Sequence, residues 1–246
     1  MAITLPKTSS VLAALLKADY LVLWRNRRAS LMALLMPLII VFFWKGAMPG
    51  AYILANAITL GIISIGLMGY ANAIARDRDK GVFQRLRVSP LPLWTIMASR
   101  LLVQLSLILL LTVLAFIAGY KFDGIEMPAT NYIITFFISL IGGALCLSLG
   151  QAIVGLIKTP ETVNSTTRLV YLLFIMTGML GQFNFFGHEF KVIVEWAPYG
   201  TLKTILAAGL DPARWDNHVS ESLLLAIGYT VIFSIIGIKW FKWSVK

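Results

Sequence analysis

Residues Ala51–Ala75 and Asn131–Ile157 contain no Asp, Glu, Lys, Arg or His. Runs of that kind constrain a chain strongly, because about 20 mainly apolar residues are what a helix needs to cross the hydrocarbon core of a bilayer. Comparable runs lie at Ala29–Trp44, Thr95–Gly119, Leu169–Phe186 and Glu221–Lys239. Only 13% of the 246 residues are charged and 59% are hydrophobic, against about 25% charged in a soluble domain. Lipid is therefore the chain's main solvent. The expected fold is an all-α integral membrane protein, one transmembrane domain over residues 1–246 with six crossings. Ala29–Trp44 is short and contains Pro37. Snorkelling of Arg28 and Lys45, or local bilayer thinning, would accommodate it.

Two segments fit neither a span nor a solvated loop. Residues 8–28 can place Leu12, Leu15, Leu16, Leu23 and the Tyr20 ring on one broad helical face, and end in Trp24, Arg25, Arg27 and Arg28. This reads as an amphipathic helix lying at the interface, or as the first turns of a long, bent first span. Residues 187–220 are too apolar for a loop and too interrupted for a span. Two short helices dipping back into the outer leaflet are expected there, with Pro198 and Gly200 near the break. Non-helical backbone at that depth needs a cover of protein.

Charge sets the orientation. Six crossings put Lys45, Lys121, Lys191, Lys203 and Arg214 on one side and the other 16 of the 21 Lys and Arg on the opposite side. The positive-inside rule makes the richer side, with both termini, cytoplasmic. The net charge of +10 is thus accounted for by topology in a cell (inner or plasma) membrane, and nucleic acid is not an expected partner. A lone cysteine, Cys146, excludes an intrachain disulfide and a cysteine-based zinc cluster. The N-terminus does not read as a cleaved signal peptide.

Recognisable catalytic chemistry is missing. There is no GxxxxGK[ST] phosphate loop, HExxH, CxxC or GxSxG, so neither a catalytic, a cofactor nor a metal site is expected on this chain. His188 and His218 read as loop or interface residues. The spans carry amides instead of buried charges: Asn56, Asn72, Gln104 and Gln151. Interhelical hydrogen bonding is their simplest use. Asn56 and Asn72, with Gln182 and Asn184, are candidates for a transport pathway. An ion-gradient-driven carrier would need titratable groups near the midplane, and a membrane-embedded lipid-modifying enzyme would need a catalytic cluster at one interface. Neither is found. Gly142, Cys146 and Gly150, and Ala144, Ser148 and Ala152, form small-residue stripes that permit close helix approach.

The most informative stretch is the polar insertion 76–94, RDRDKGVFQRLRVSPLPLW. Phe83 and Leu86 can form an apolar edge on a short helix that ends at Pro90 and Pro92, suited to a partner's groove. Asp77 and Asp79 can brace the junction with the preceding span through Arg76 or Arg78. The stretch resembles the cytoplasmic motif of type-2 ABC exporter permeases, in which a charged lead is followed by Gly, Leu and Ser/Thr-Pro. Asp77, Asp79, Gly81, Leu86, Ser89 and Pro90 match it, while Gln84 stands where the family often has Glu. Residues 195–209 also resemble a family segment. The resemblance implies a permease subunit for drugs, lipids, lipid-linked glycans or peptides, working by alternating access. It also implies a second permease copy and a separate ATP-binding cassette subunit carrying ATP and Mg. Residues 8–28 would then be a lever, and Arg76, Asp77, Asp79, Gly81, Phe83, Arg85, Leu86, Ser89 and Pro90 would couple to the ATPase.

Overall fold

The computed structural model describes residues 7–43, 45–46, 49–87, 93–182 and 187–241. Among the described residues there is no strand. Helix α1 is Thr8–Arg25 and α2 is Arg27–Phe43. A continuous rod follows: α3 (Gly50–Ile63), a π-helical segment (Ser64–Ala71) and α4 (Asn72–Asp79). Next come the short α5 (Val82–Arg87), the long α6 (Leu93–Asp123) and α7 (Ala129–Leu156). Then come α8 (Pro160–Gln182), α9 (Gly187–Trp196), α10 (Pro198–Leu210) and α11 (Asn217–Lys239).

Among the described residues, four helices are long and apolar enough to cross a bilayer: Gly50–Asp79, Trp94–Asp123, Ala129–Leu156 and Asn217–Lys239. The expected count of six is therefore not reached on length and composition. The reasons are physical. The 17 residues of α2 rise only about 26 Å, and α8 opens with the polar sequence PETVNSTTR. What reads as a loop at 158–168 is mostly the first turns of α8, with Val163 and Thr167 fully buried. Likewise, residues 76–79 are not loop but the end of the α3–α4 rod.

The rod is the hub. Of its most apolar window 72% is buried, against 17% for α11, so the other helices gather around it. Their outward faces are apolar: Leu35 and Phe43 on α2, Leu110 and Ile117 on α6, Leu224, Ile232 and Ile238 on α11 are all exposed. Polar groups such as Thr59, Ser99, Thr112 and Ser139 are buried inside, each bonded to another side chain or to a backbone carbonyl of its own helix. An exposed apolar surface of this extent calls for lipid or protein contact.

Small residues set how closely the rod and α7 approach. A Cβ placed on Gly150 would stand 2.5 Å from the Gly66 carbonyl oxygen, and one on Gly66 would stand 2.8 Å from Cys146 backbone. The Gly142–Cys146–Gly150 stripe thus finds its partner in the π segment, and Gly142 also receives Leu202 of α10. On the second stripe Ala144 is exposed, whereas Ser148 and Ala152 are buried. Side-chain amides add two hydrogen bonds from the rod, one to α7 and one to α8: the Tyr70 hydroxyl donates to Gln151 Oε1 (2.6 Å), and Asn72 Nδ2 donates to Thr167 Oγ1 of α8 (3.3 Å).

The segment before the last helix forms two short helices that break at Ala197. Gly200 lies directly under the Val194 and Glu195 carbonyls, where any Cβ would collide. Protein covers α10 thoroughly, since Leu202, Ile205 and Leu206 have no exposure.

Helix α1 departs from the expected one-sided pattern. Val11 and Asp19 are buried on the side that packs along α6. Leu12, Leu15, Leu16 and Leu23 are half-buried, while Tyr20, Leu21, Val22 and Trp24 are exposed. Apolar side chains therefore occupy both faces.

The glycine contact yields a stability prediction. Gly150→Val should destabilise the detergent-purified chain by about 1–3 kcal/mol, because the added methyls meet backbone that cannot rotate away. Gly228→Ala has open space within 4 Å and should leave the thermal midpoint unchanged or slightly raised. Equal midpoints for Gly150→Val and wild type would contradict the packing described.

Candidate functional site: a charged latch where the central rod emerges

The rod ends in four residues of alternating charge, Arg76–Asp79. Successive helix positions point about 100° apart, so the four side chains go to different places. Arg76 and Asp79 are exposed, Asp77 is half-buried and Arg78 is 1% exposed.

Arg78 reaches across to the C-terminal end of α7. Its Nη1 donates to Val154 O (2.8 Å), and its Nη2 donates to Ile157 O (2.6 Å) and Lys158 O (2.8 Å). The last carbonyls of a helix lack intrahelical donors and carry the negative end of its dipole. A guanidinium presents several donors in one plane and meets both needs. Arg78 Nε is buried without a hydrogen-bond partner. Arg78 thus ties the rod's end to the start of the connection into α8.

Asp77 turns the other way. Its Oδ2 pairs with Arg100 Nη2 of α6 (2.8 Å), and Arg100 Nη1 pairs with Asp19 Oδ1 of α1 (3.2 Å). Ser99 Oγ donates to Asp19 Oδ2 (2.5 Å). One guanidinium therefore bridges two carboxylates on different helices. Burial pushes the Asp19 carboxyl above the usual carboxylate range, while Ser99 and Arg100 pull it down and Asp77 adds to the rise. The expected brace from Asp77 through Arg76 or Arg78 is corrected for Asp77: its partner is Arg100 of α6, two helices further along the chain.

After Asp79 the chain turns at Lys80–Gly81. Gly81 has φ +66, a left-handed conformation that glycine adopts without strain; this explains the glycine at the head of the motif. In α5, Phe83 is fully buried, with its ring edge-on to Phe241 beyond α11 (centroids 5.9 Å, 87°). Leu86 and Val82 are half-buried, and Gln84 and Arg85 are exposed. Arg85 folds back on Lys80 O (3.0 Å). The apolar edge expected to enter a partner's groove is therefore corrected for Phe83: its ring is already spent on this chain's own C-terminal end.

Ser89, Pro90 and Asn184, and the side chains of Arg87, Gln182 and His188, lie outside the described residues. Asn56 and Asn72, the two pathway candidates among the described side chains, are both buried on the rod and 16 positions apart. Below the latch a cavity of about 180 Å³ opens between α1, α2, the π segment and α6. Asp19, Arg76, Arg100 and Gln104 line it, and Gln104 Oε1 is buried without a partner.

Asp19, Arg100 and Phe241 are the residues that reading the sequence missed, and Arg78 is named there only as a brace for the aspartates. Asp19 as the one acidic residue of α1 and Arg100 five residues inside a span were the available signals, since charge at such depth calls for a partner. The latch predicts an order of effects. Arg100→Ala leaves two carboxylates facing each other and should cost about 3–5 kcal/mol. Asp19→Asn removes a charge that burial already disfavours and should cost clearly less. Thermal midpoints of the purified chain give the order, and a larger loss for Asp19→Asn would overturn it.

Comparison with known proteins assigns the family. Residues 10–199 match the family model described as ABC-2 type transporter. The chain is also 21% identical over 226 residues to "Putative transport permease YvfS" of Bacillus subtilis (strain 168), covering 87% of this chain and 89% of that protein. The latch, the Gly81 turn and α5 all fall inside the matched region. With its long apolar helices, the chain is a multi-pass membrane protein and belongs to the ABC-2 type transporter family, as a type-2 ABC transporter permease.

Proposed function

We propose that this chain is the transmembrane half of an exporter whose ATP and Mg are bound by a separate cassette subunit, and that a second permease copy completes the complex. One observation carries the reading. The start of the segment that resembles the family's cytoplasmic motif, Arg76–Asp79, is the continuous end of the most buried helix and is tied to three neighbours, by Arg100 to α1 and α6 and by Arg78 to α7. A push on α5 would reach the rod, the lever α1 and the α7–α8 connection together.

In this reading α2, the rod, α6, α7, α8 and α11 make six crossings of the cell membrane, with both termini cytoplasmic. Arg78, Arg85, Arg100 and Lys158 then share the cytoplasmic end with the latch, consistent with the positive-inside rule. Helices α9 and α10 form the re-entrant element on the outer side. Nucleotide binding closes the partner ATPase and moves α5. The small cavity beneath the latch gives α1 room to shift against α6, and the spans open alternately inward and outward. The partner meets a polar face, Asp79, Lys80, Gln84 and Arg85, all exposed, while Phe83 holds that face in place from behind.

Reconstitution tests this division of labour. The chain alone should hydrolyse no ATP, and activity should require the cassette subunit. Lys80→Glu with Arg85→Glu should lose co-purification with that subunit while keeping the wild-type thermal midpoint. Phe83→Ala should instead lower the midpoint, by about 3–5 kcal/mol in stability, and lose assembly as a consequence. Hydrolysis by the pure chain, or normal assembly of the double charge reversal, would refute the proposal.

A further inference from the structure

The far end of the rod carries a second charged region. Tyr52 near its start is 25 positions from Asp77, roughly 38 Å along a helix. There a cavity of about 540 Å³ opens between the start of α3, the α9–α10 break, the turn 211–216 and the first turn of α11. Its walls include Tyr52, Tyr199, Lys203, Thr204, Arg214 and His218. We propose that this cavity binds the phosphate of a lipid headgroup, with Lys203 as its cationic contact.

The charges around the cavity are unevenly committed. Arg214 Nε pairs with Asp211 Oδ2 (2.7 Å), and its guanidinium lies 5.4 Å over the Tyr52 ring. Asp216 Oδ1 accepts from Val219 N (2.9 Å) as the N-cap of α11. His218 is edge-on to Trp196 at 4.9 Å. Lys203 is half-buried, and among the described residues it forms neither an ion pair nor a hydrogen bond. Glu195 lines the same wall and offsets part of its charge. An ammonium carries three donors, and at the wall of this cavity those of Lys203 are available to a bound group. A phosphate supplies several acceptors and a compensating charge, and lysine meets phosphate as a point charge.

The setting favours a lipid over a free anion. The volume is that of a small-molecule pocket, at the end of helices whose outer faces are apolar. Trp196, Trp215 and Tyr52 cluster around it, the composition of a headgroup-level belt. Leu224 and Ile227 further along α11 are exposed, so that helix also presents apolar surface outward. Leu202, Ile205 and Leu206, all fully buried, hold α10 and with it Lys203 in place.

The test uses the full chain, purified in a neutral detergent. Thr204 lines the cavity and Cys146 is 1% exposed, so Thr204→Cys supplies one reactive thiol for a maleimide. Dioleoyl phosphatidylglycerol at ten times its dissociation constant should slow labelling about tenfold. Dioleoylglycerol, with the same chains and no phosphate, should not. Adding Lys203→Gln should abolish the protection and Lys203→Arg should keep it. Should Thr204→Cys fail to fold, the same comparison is read from the thermal midpoint of the native sequence, raised by the phospholipid only. Equal protection by dioleoylglycerol, or full protection in Lys203→Gln, overturns the site. Inorganic phosphate alone giving the same protection overturns the lipid as its occupant.

Discussion

The guanidinium of Arg78 lies where a membrane helix is least able to look after itself. Within a helix every peptide group bonds internally, but the last carbonyls do not. Where such an end packs against protein, as Val154 does with no exposure, its carbonyls need another donor. At the end of α7 three carbonyls, those of Val154, Ile157 and Lys158, are met by one side chain from another helix. A capping problem is thereby turned into a tertiary contact. The rod cannot shift along α7 without exposing those groups, so the two elements move together or the bonds break.

Around that contact the structure divides into regions that resist movement and regions that permit it. Gly66 against Cys146 and Gly150 locks the π segment to α7 at backbone distance, and π segments in helices occur frequently at functional sites. Across the rod the contacts are looser: a cavity of about 180 Å³ separates the π segment from α1 and α6. The Arg100 bridge spans this softer side. A bridge of one guanidinium and two carboxylates tolerates small rotations that close packing would not. A lever that must move while staying attached needs that kind of joint.

The membrane character of the chain was legible because long runs without charge have one physical solution. The helices of the rod, α6, α7 and α11 follow from those runs, and the break at Ala197 follows from Pro198 and Gly200. The count of crossings was not legible in the same way, since Ala29–Trp44 is short and Leu169–Phe186 continues a polar helical start. Site chemistry is less legible. The sequence marks Asp77 as a brace, but its partner depends on which way a helix end turns, and that is fixed by packing against α6. Phe83 reads as an outward anchor because an apolar residue in a polar insertion has no local reason to point inward. Its reason is Phe241, 158 positions later in the numbering.

The central claim is that Arg100 holds α1 in register with the emerging end of the rod. The direct measurement is a spin–spin distance between labels at Lys17→Cys on α1 and Gln84→Cys on α5, both exposed positions, in the reconstituted chain with Cys146→Ser. With Arg100 present, the distance distribution should be narrow. Arg100→Ala should broaden it while α-helical content is unchanged. An identical, narrow distribution in Arg100→Ala would show that packing alone sets the register, and would contradict the account.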